Sequence, residues 1–226
     1  MPPEIDEKAV QAAVAELVGH CKREHLPLPS AAPGLFEAYL RLLLQWKERM
    51  SLTGAETPRE LALAHVLDSL HVAPELAAGE VVADLGSGAG FPGIPLAIAR
   101  PDCSFALVEA RRKRATFLRH VARELRLANV RVEEVRAEDL ARTQSGTFDV
   151  VVARAVADLA TLARFAYPLL KPGGRLIAMK GPNPDDELRK RPHPSWPMRI
   201  ERYRLPEGLG ERTLVILWTN GRERAG

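Results

Sequence analysis

The sequence predicts an α/β fold: a seven-stranded, mostly parallel sheet with helices on both faces, behind an N-terminal helical layer. Three observations predict it. From Val81 onward, short apolar runs alternate with stretches of helical periodicity. The first run, Val81–Leu85, enters a turn with glycines at 86, 88, 90 and 93. The chain then closes on two consecutive strand-like runs, which read as an antiparallel hairpin.

Residues 4–25 carry apolar side chains at Val10, Ala13, Val14, Leu17, Val18 and Cys21, the spacing of one helix face. Pro27 and Pro29 end that helix, and residues 30–34 read as a linker. A second helix spans Leu35–Met50, with Leu35, Tyr39, Leu42, Leu43 and Trp46 on one side. A third opens at Thr57, a plausible N-cap, with Pro58 in the first turn and Glu60 at the capping-box position. It carries His65 and Asp68, three apart, as a helix-surface pair or a substrate-positioning pair.

The strands then follow as Val81–Leu85, Ser104–Glu109, Val130–Val135, Phe148–Ala153 and Arg175–Lys180, with helices over Pro92–Arg100, Arg111–Leu127 and Ala157–Leu170 between them. Residues 171–174 form a turn, and the proline-rich segment 182–197 reads as a mobile loop. Met198–Leu205 and Arg212–Trp218 make the final hairpin. The natural division is a helical extension over residues 1–75 packed on a core domain over 76–226.

The 226 residues are 46% hydrophobic and 27% charged, ordinary values for a globular chain. Cys21 and Cys103 form no Cys-x-x-Cys pair, so neither a metal site nor a disulfide framework is expected. The acidic N-terminus lacks the apolar core of a secretory signal, and no apolar run is long enough for a membrane span. A cytoplasmic, monomeric protein is expected. Net charge is only +3, but the basic residues cluster. Arg111, Arg112, Lys113, Arg114, Arg119, Arg123 and Arg126 face a single acid, Glu124, across one helix. Such local patches, and the basic segment 189–204, are candidate phosphate contacts.

The glycine turn is a nucleotide cradle. Glycine permits a sharp turn and close approach of a ligand to the main chain, and the helix behind it presents free N–H groups. The spacing is Gly-x-Gly-x-Gly, unlike the usual dinucleotide fingerprint, and no Gly-x-x-x-x-Gly-Lys-Ser/Thr occurs. Asp84 precedes the loop and either orients it or meets the cofactor; Gly86, Gly88 and Phe91 line it. Glu109 ends the second strand, where an acid takes the hydroxyls of a ribose. The pattern resembles the S-adenosylmethionine pocket of class I methyltransferases. In that fold, Ala137 and Glu138, after the third strand, stand near the adenine.

The end of the fourth strand bears on the reaction. It reads Val152-Ala153-Arg154-Ala155, without the Asn/Asp-Pro-Pro-Tyr/Phe of exocyclic-amine methylation. Neither cysteine stands at a strand's carboxyl end, so covalent catalysis is not expected. Transfer to an already nucleophilic atom such as guanine N7 needs no general base, only alignment. Arg154 stands where a substrate- or cofactor-facing group belongs, the alternative being a structural ion pair, with His65 a second candidate and Lys180 on the same rim. The basic helix contributes Arg112, Lys113, Arg119, Arg123 and Arg126 as candidate RNA contacts or as a solvated polar face.

Several blocks in order are more specific than a fold: residues 50–54 (Met-Ser-Leu-Thr-Gly), 65–70 (His-Val-Leu-Asp-Ser-Leu), 84–96, 124–129 (Glu-Leu-Arg-Leu-Ala-Asn), Arg136-Ala137-Glu138, Arg154-Ala155 and Lys180-Gly181. Together they resemble the bacterial small-subunit ribosomal RNA guanine-N7 methyltransferases, first named glucose-inhibited division protein B. The resemblance spans about residues 35–218. It implies S-adenosylmethionine as methyl donor, and a guanine in a decoding-region loop of 16S rRNA as target, presented as RNA or as the small ribosomal subunit. It implies cofactor contacts at Gly86, Phe91, Ala137, Glu138 and Arg154. The chain departs from the family at Ser51, where Asn is usual, and in the offset basic run 111–114. A methyltransferase of a small molecule or protein, or an RNA-binding module that retains the cofactor, are the alternative readings.

Overall fold

The computed structural model describes residues 5–47, 55, 57–190, 196–206 and 208–219. α1 (Glu7–Arg23) starts at Asp6, whose carboxylate accepts the Ala9 N–H, and buries Val10, Ala13, Val14, Leu17 and Cys21. α2 spans Ala32–Lys47, three residues earlier than the predicted start. Pro33 lies in its first turn, where a missing N–H costs nothing, so the expected linker is mostly helix. The helix after Thr57 begins as α3 (Pro58–Glu60), widens into a π segment over Leu61–Leu67, and finishes as α4 (Asp68–Leu70).

The strands are β1 (Val81–Leu85), β2 (Ser104–Val108), β3 (Val130–Glu133), β4 (Phe148–Arg154), β5 (Leu170–Lys180), β6 (Met198–Arg204) and β7 (Glu211–Trp218). They lie in the order β3-β2-β1-β4-β5-β7-β6, all parallel except β7 against its two neighbours. β5 is longer than predicted: it takes in residues 171–174 through an irregularity opposite Phe148 and Val150. The chain leaves β1 towards β2 and returns to β4 on the other side. That reversal opens a crevice at the carboxyl ends of β1 and β4, where open α/β sheets bind ligands.

α5 (Gly93–Ala99), α6 (Arg112–Glu124), α7 (Ala137–Thr143), α8 (Leu159–Ala166) and α9 (Asp185–Arg189) complete the fold. α9 falls inside the segment predicted as a loop, so part of that segment is ordered helix. Alternate strand residues feed opposite cores. Val82, Leu107, Val152 and Ile216 join Leu17, Phe36, Leu40 and Phe117 on one face. Ala83, Val108, Val151 and Leu217 join Leu140, Leu162 and Trp196 on the other. The N-terminal helices therefore share a core with the sheet. Both described cysteines are buried free thiols. Among the described residues no helix is long and apolar enough to cross a membrane, and no His/Cys/Asp/Glu group could hold a metal ion.

Candidate active site

The glycine loop is tied to its neighbour strand and to itself. Gly86 and Ser87 N–H groups donate to the Val108 carbonyl at 2.9 and 3.1 Å, and the Ser87 hydroxyl donates to the Asp84 carbonyl at 2.9 Å. Gly86 has φ +69°, and a Cβ there would lie 2.7 Å from Val156 Cγ2. Gly93 opens α5 against β1 and β2; a Cβ there would collide with Leu107 and lie 2.6 Å from Asp84 Oδ2.

Asp84 is fully buried, and its Oδ2 accepts the Gly93 N–H at 3.0 Å. Its Oδ1 has no hydrogen-bond partner among the described residues. Burial outweighs the hydrogen bonds from Ser87 and Gly93 and pushes its pKa up to about 7. One oxygen thus orients the loop, the first of the two roles the sequence left open, and the other is buried without a partner among the described residues. Glu109 is buried with its carboxylate split between the Gly88 N–H (3.1 Å) and the Arg111 N–H (2.8 Å). A carboxylate has about four lone-pair sites, so two hydroxyls can still be accepted. Ala137 is half-buried and Glu138 exposed at the start of α7, on the same edge of the sheet.

Phe91 gathers three side chains around its ring. The Arg154 guanidinium lies 4.9 Å from its ring centroid, the His65 ring stacks on it at 5.0 Å and 29°, and Tyr39 tilts against it at 5.6 Å. The Tyr39 hydroxyl donates to the Ala89 carbonyl at 2.7 Å, which pins the loop from α2. Arg154 ends β4, and Ala155 follows with φ +54°, so the chain turns sharply over Gly86.

His65 and Asp68 do not form the surface pair that three-residue spacing suggests. Asp68 is only 3% exposed and accepts from Arg154 Nη1 at 3.2 Å. His65 faces Phe91, with Nδ1 unpartnered among the described residues. Burial, then the Arg154 charge, lowers its pKa to about 4, so the ring is neutral at physiological pH. Both residues instead turn inward, Asp68 onto Arg154 and His65 onto Phe91, at and just after the π segment over Leu61–Leu67.

The basic candidates separate into three groups. Arg112 and Lys113 are exposed and make no ion pair among the described residues. Arg119 pairs with Glu134 at 2.8 Å, and Arg123 reaches Glu124 and His120. Arg126 lies beyond the end of α6 with φ +53°, so it does not continue the helical stripe predicted through Arg112 and Arg119. Lys180 also departs from expectation. Its Nζ donates to the Ala157 carbonyl at 2.7 Å and pairs with Glu187 at 2.7 Å, latching the turn after Arg154. In segment 189–204, Arg199, Arg202 and Arg204 all engage carboxylates: Glu75 and Glu201, Asp185, and Glu211. Residues 50–54, Ser51 included, lie outside the described residues.

The sequence reading missed Tyr39 and two residues of the terminal hairpin, Tyr203 and Arg212. Tyr203 donates its hydroxyl to Asp68 Oδ1 at 2.7 Å, and Arg212 Nε lies 3.9 Å from the same oxygen. The one signal was an aromatic residue among the arginines of β6. The assembled site fits an adenosyl cofactor: a cradle that side chains would fill, an orphaned buried Asp84 oxygen, and a fixed carboxylate at Glu109.

Comparison with known proteins agrees with this geometry. A family model described as GidB, rRNA small subunit methyltransferase G, matches residues 34–215. A "Ribosomal RNA small subunit methyltransferase G" from Xanthomonas axonopodis pv. citri is 44% identical over 188 residues, 83% of this chain and 86% of its own length. The protein of that name from Yersinia enterocolitica is 40% identical over 196 residues, 86% of this chain and 94% of its own. Among solved structures, a SAM-dependent O-methyltransferase from Thermotoga maritima matches with TM-score 0.54 and 16% identity, covering 80% of this chain and 72% of that one. M. jannaschii TYW2 in complex with AdoMet matches with TM-score 0.53 and 17% identity, covering 69% and 74%.

Proposed function

This chain belongs to the GidB family of small-subunit ribosomal RNA methyltransferases, and from that premise we propose how its residues carry out the reaction. The protein is an S-adenosylmethionine-dependent rRNA methyltransferase. Its acceptor is N7 of a guanine in 16S rRNA, met in the cytoplasm by a monomer in which the helical layer (1–75) and the sheet domain (76–226) act as one unit. The bound cofactor supplies an electrophilic methyl group on a sulfonium sulfur.

The chain's own residues do the rest. Glu109 accepts the ribose hydroxyls, Ala137 and Glu138 border the adenine, and the backbone at Gly86 and Gly88 with Asp84 Oδ1 borders the methionine end. N7 carries a free lone pair, so no residue need remove a proton. That accords with His65, whose pKa, lowered to about 4 by burial and the Arg154 charge, makes it a poor base, and with Cys103, which bonds the Ala77 carbonyl ahead of β1. Arg154 on Phe91 orients the guanine, so the rate arises from alignment and exclusion of water. Arg112 and Lys113 bind backbone phosphates directly. Arg119 and Arg123 exchange carboxylate partners for phosphate, and Arg126 extends the contact beyond the helix. Lys180 acts on the RNA side through the turn that it latches.

The observation that carries this reading is Arg154 stacked on the loop residue Phe91 at the switch point of the sheet. The test is methyl transfer from labelled cofactor to unmethylated small subunits and to protein-free 16S rRNA, followed by mass spectrometry of the nucleosides. Label in 7-methylguanosine is the expected result. Label in another nucleoside would replace the acceptor atom, and no label in either RNA would overturn the reading.

A further inference from the structure

Arg154 is held by one buried carboxylate, and that carboxylate is held from the far end of the chain. Asp68 is 3% exposed, and its two oxygens are divided. Oδ2 accepts from Arg154 at 3.2 Å, while Oδ1 accepts the Tyr203 hydroxyl at 2.7 Å with Arg212 Nε at 3.9 Å. Tyr203 stands on β6, 135 residues from Asp68. Its ring stacks on His71 at 3.8 Å and 27°, so both the ring and the hydroxyl have fixed partners.

We propose that Tyr203 is a positioning residue for methyl transfer: by fixing the Asp68 carboxylate it sets the orientation of the Arg154 guanidinium over Phe91. A carboxylate bonded by Arg154 alone would be free to rotate, and the guanidinium would follow it. The Tyr203 hydroxyl occupies the second oxygen and leaves one geometry. Burial, then the Asp68 charge, raises the Tyr203 pKa above the ordinary tyrosine range, so the group is a donor at every working pH. Charge completes the arrangement. Two cations face the single carboxylate of Asp68, Arg154 at 3.2 Å and Arg212 at 3.9 Å. Tyr203 supplies a hydrogen bond without adding a third cation. A lysine or arginine there would compete with Arg154 for the carboxylate. The terminal hairpin thereby becomes part of the active site without touching either substrate.

This inference rests on Arg154 acting in methyl transfer, and the experiment separates the two. Tyr203→Phe, Arg154→Ala and the double variant are compared at saturating cofactor and small subunits. In parallel, the Arg154 Nε–H signal is followed by NMR in ¹⁵N-labelled protein, assigned by its loss in Arg154→Ala. Y203F is expected to lower kcat about tenfold, the scale of a modest misplacement, with the KM for the cofactor within about twofold. Its Arg154 Nε–H signal is expected to broaden or average. The double variant is expected to be no slower than Arg154→Ala alone, because both substitutions act through one guanidinium. If the losses multiply, or if the NMR signal is unchanged in Y203F, Tyr203 has a structural role only and the inference fails. If Arg154→Ala itself turns over at the wild-type rate, the role of Arg154 fails first and takes this inference with it. Asp68→Asn, which keeps the side-chain shape, is the second variant: it must release the same NMR signal, and a signal left restrained would overturn the clamp.

Discussion

The two ends of the sheet use charge in opposite ways. At the amino end, Glu80 takes both Arg175 nitrogens at 2.8 and 2.7 Å and the Ala77 N–H at 2.8 Å. Asp149 takes Lys171 at 2.8 and 2.9 Å and the Val81 N–H at 2.9 Å, and Asn129 Nδ2 donates to the Ala97 and Cys103 carbonyls. Each carboxylate there has its own cation. At the carboxyl end, among the described residues, one Asp84 oxygen and one His65 nitrogen have no hydrogen-bond partner, and two arginines approach Asp68. A buried polar group without a partner is costly, and a sheet that pairs its charges so fully at one end has no mechanical need to leave them open at the other. The paired carboxylates at the amino end hold the sheet together, and the proposed cofactor and RNA would meet the sheet at its carboxyl end.

The most severe way to break the contrast is at Gly93, which lies against both Asp84 and Leu107. Gly93→Ala should cost about 3 kcal/mol, the upper range for overpacking, and abolish cofactor binding. Urea unfolding checks the first effect and calorimetric titration the second. Glu109→Ala should leave the chain folded and weaken cofactor binding on the order of ten- to hundredfold, the scale of hydrogen bonds to a charged group. Titration calorimetry against S-adenosylhomocysteine measures it directly.

The pH dependence of stability sharpens the comparison next. The folded-state pKa of Asp84 is raised, to about 7 from a usual 3.8. Below the lower value both states are protonated and there is no penalty. Between the two values the unfolded chain releases a proton that the folded chain keeps, so stability falls as pH rises from about 4 to about 7. For His65 the folded-state value is lowered, to about 4 from 6.5. The unfolded chain then binds the extra proton, so stability falls as pH drops from 6.5 towards 4. The two slopes oppose each other in the wild type. Asp84→Asn should therefore gain stability as pH rises through this window, and His65→Gln should lose it. Thermal midpoints across the window would expose equal slopes as a contradiction. The smallest effects belong to the rim. Arg112→Ala and Lys113→Ala should each reduce the salt slope of RNA binding by about one while leaving cofactor affinity unchanged.

What could be read from the sequence follows the same division. The glycine loop, Asp84, Glu109 and Arg154 were legible because turn chemistry and strand ends are local patterns. So were the strands themselves, whose apolar runs are set by burial on both faces. The Asp68 clamp was not legible. Helical spacing does not show that Asp68 is buried against Arg154, and Tyr203 reaches Asp68 only after the hairpin has folded back across the sheet. Arg126 falls outside the predicted helix, and Lys180, at the end of β5 as expected, has partners that its position did not show. A left-handed residue ended the basic helix early, and a short helix in a proline-rich segment supplied Lys180 with a partner, Glu187.

The most direct measurement compares one arginine from each end, Arg175→Ala and Arg154→Ala, for thermal unfolding and single-turnover methyl transfer on the same preparations. A crossed result is expected. Arg175→Ala leaves Glu80 buried with its charge unpaired and loses about 3–5 kcal/mol of stability, yet methylates at the wild-type rate while folded. Arg154→Ala, whose partner Asp68 keeps Tyr203 and Arg212, loses less stability but more than about a hundredfold in rate. Equal stability losses together with an unimpaired Arg154→Ala rate would contradict the division between the two ends of the sheet.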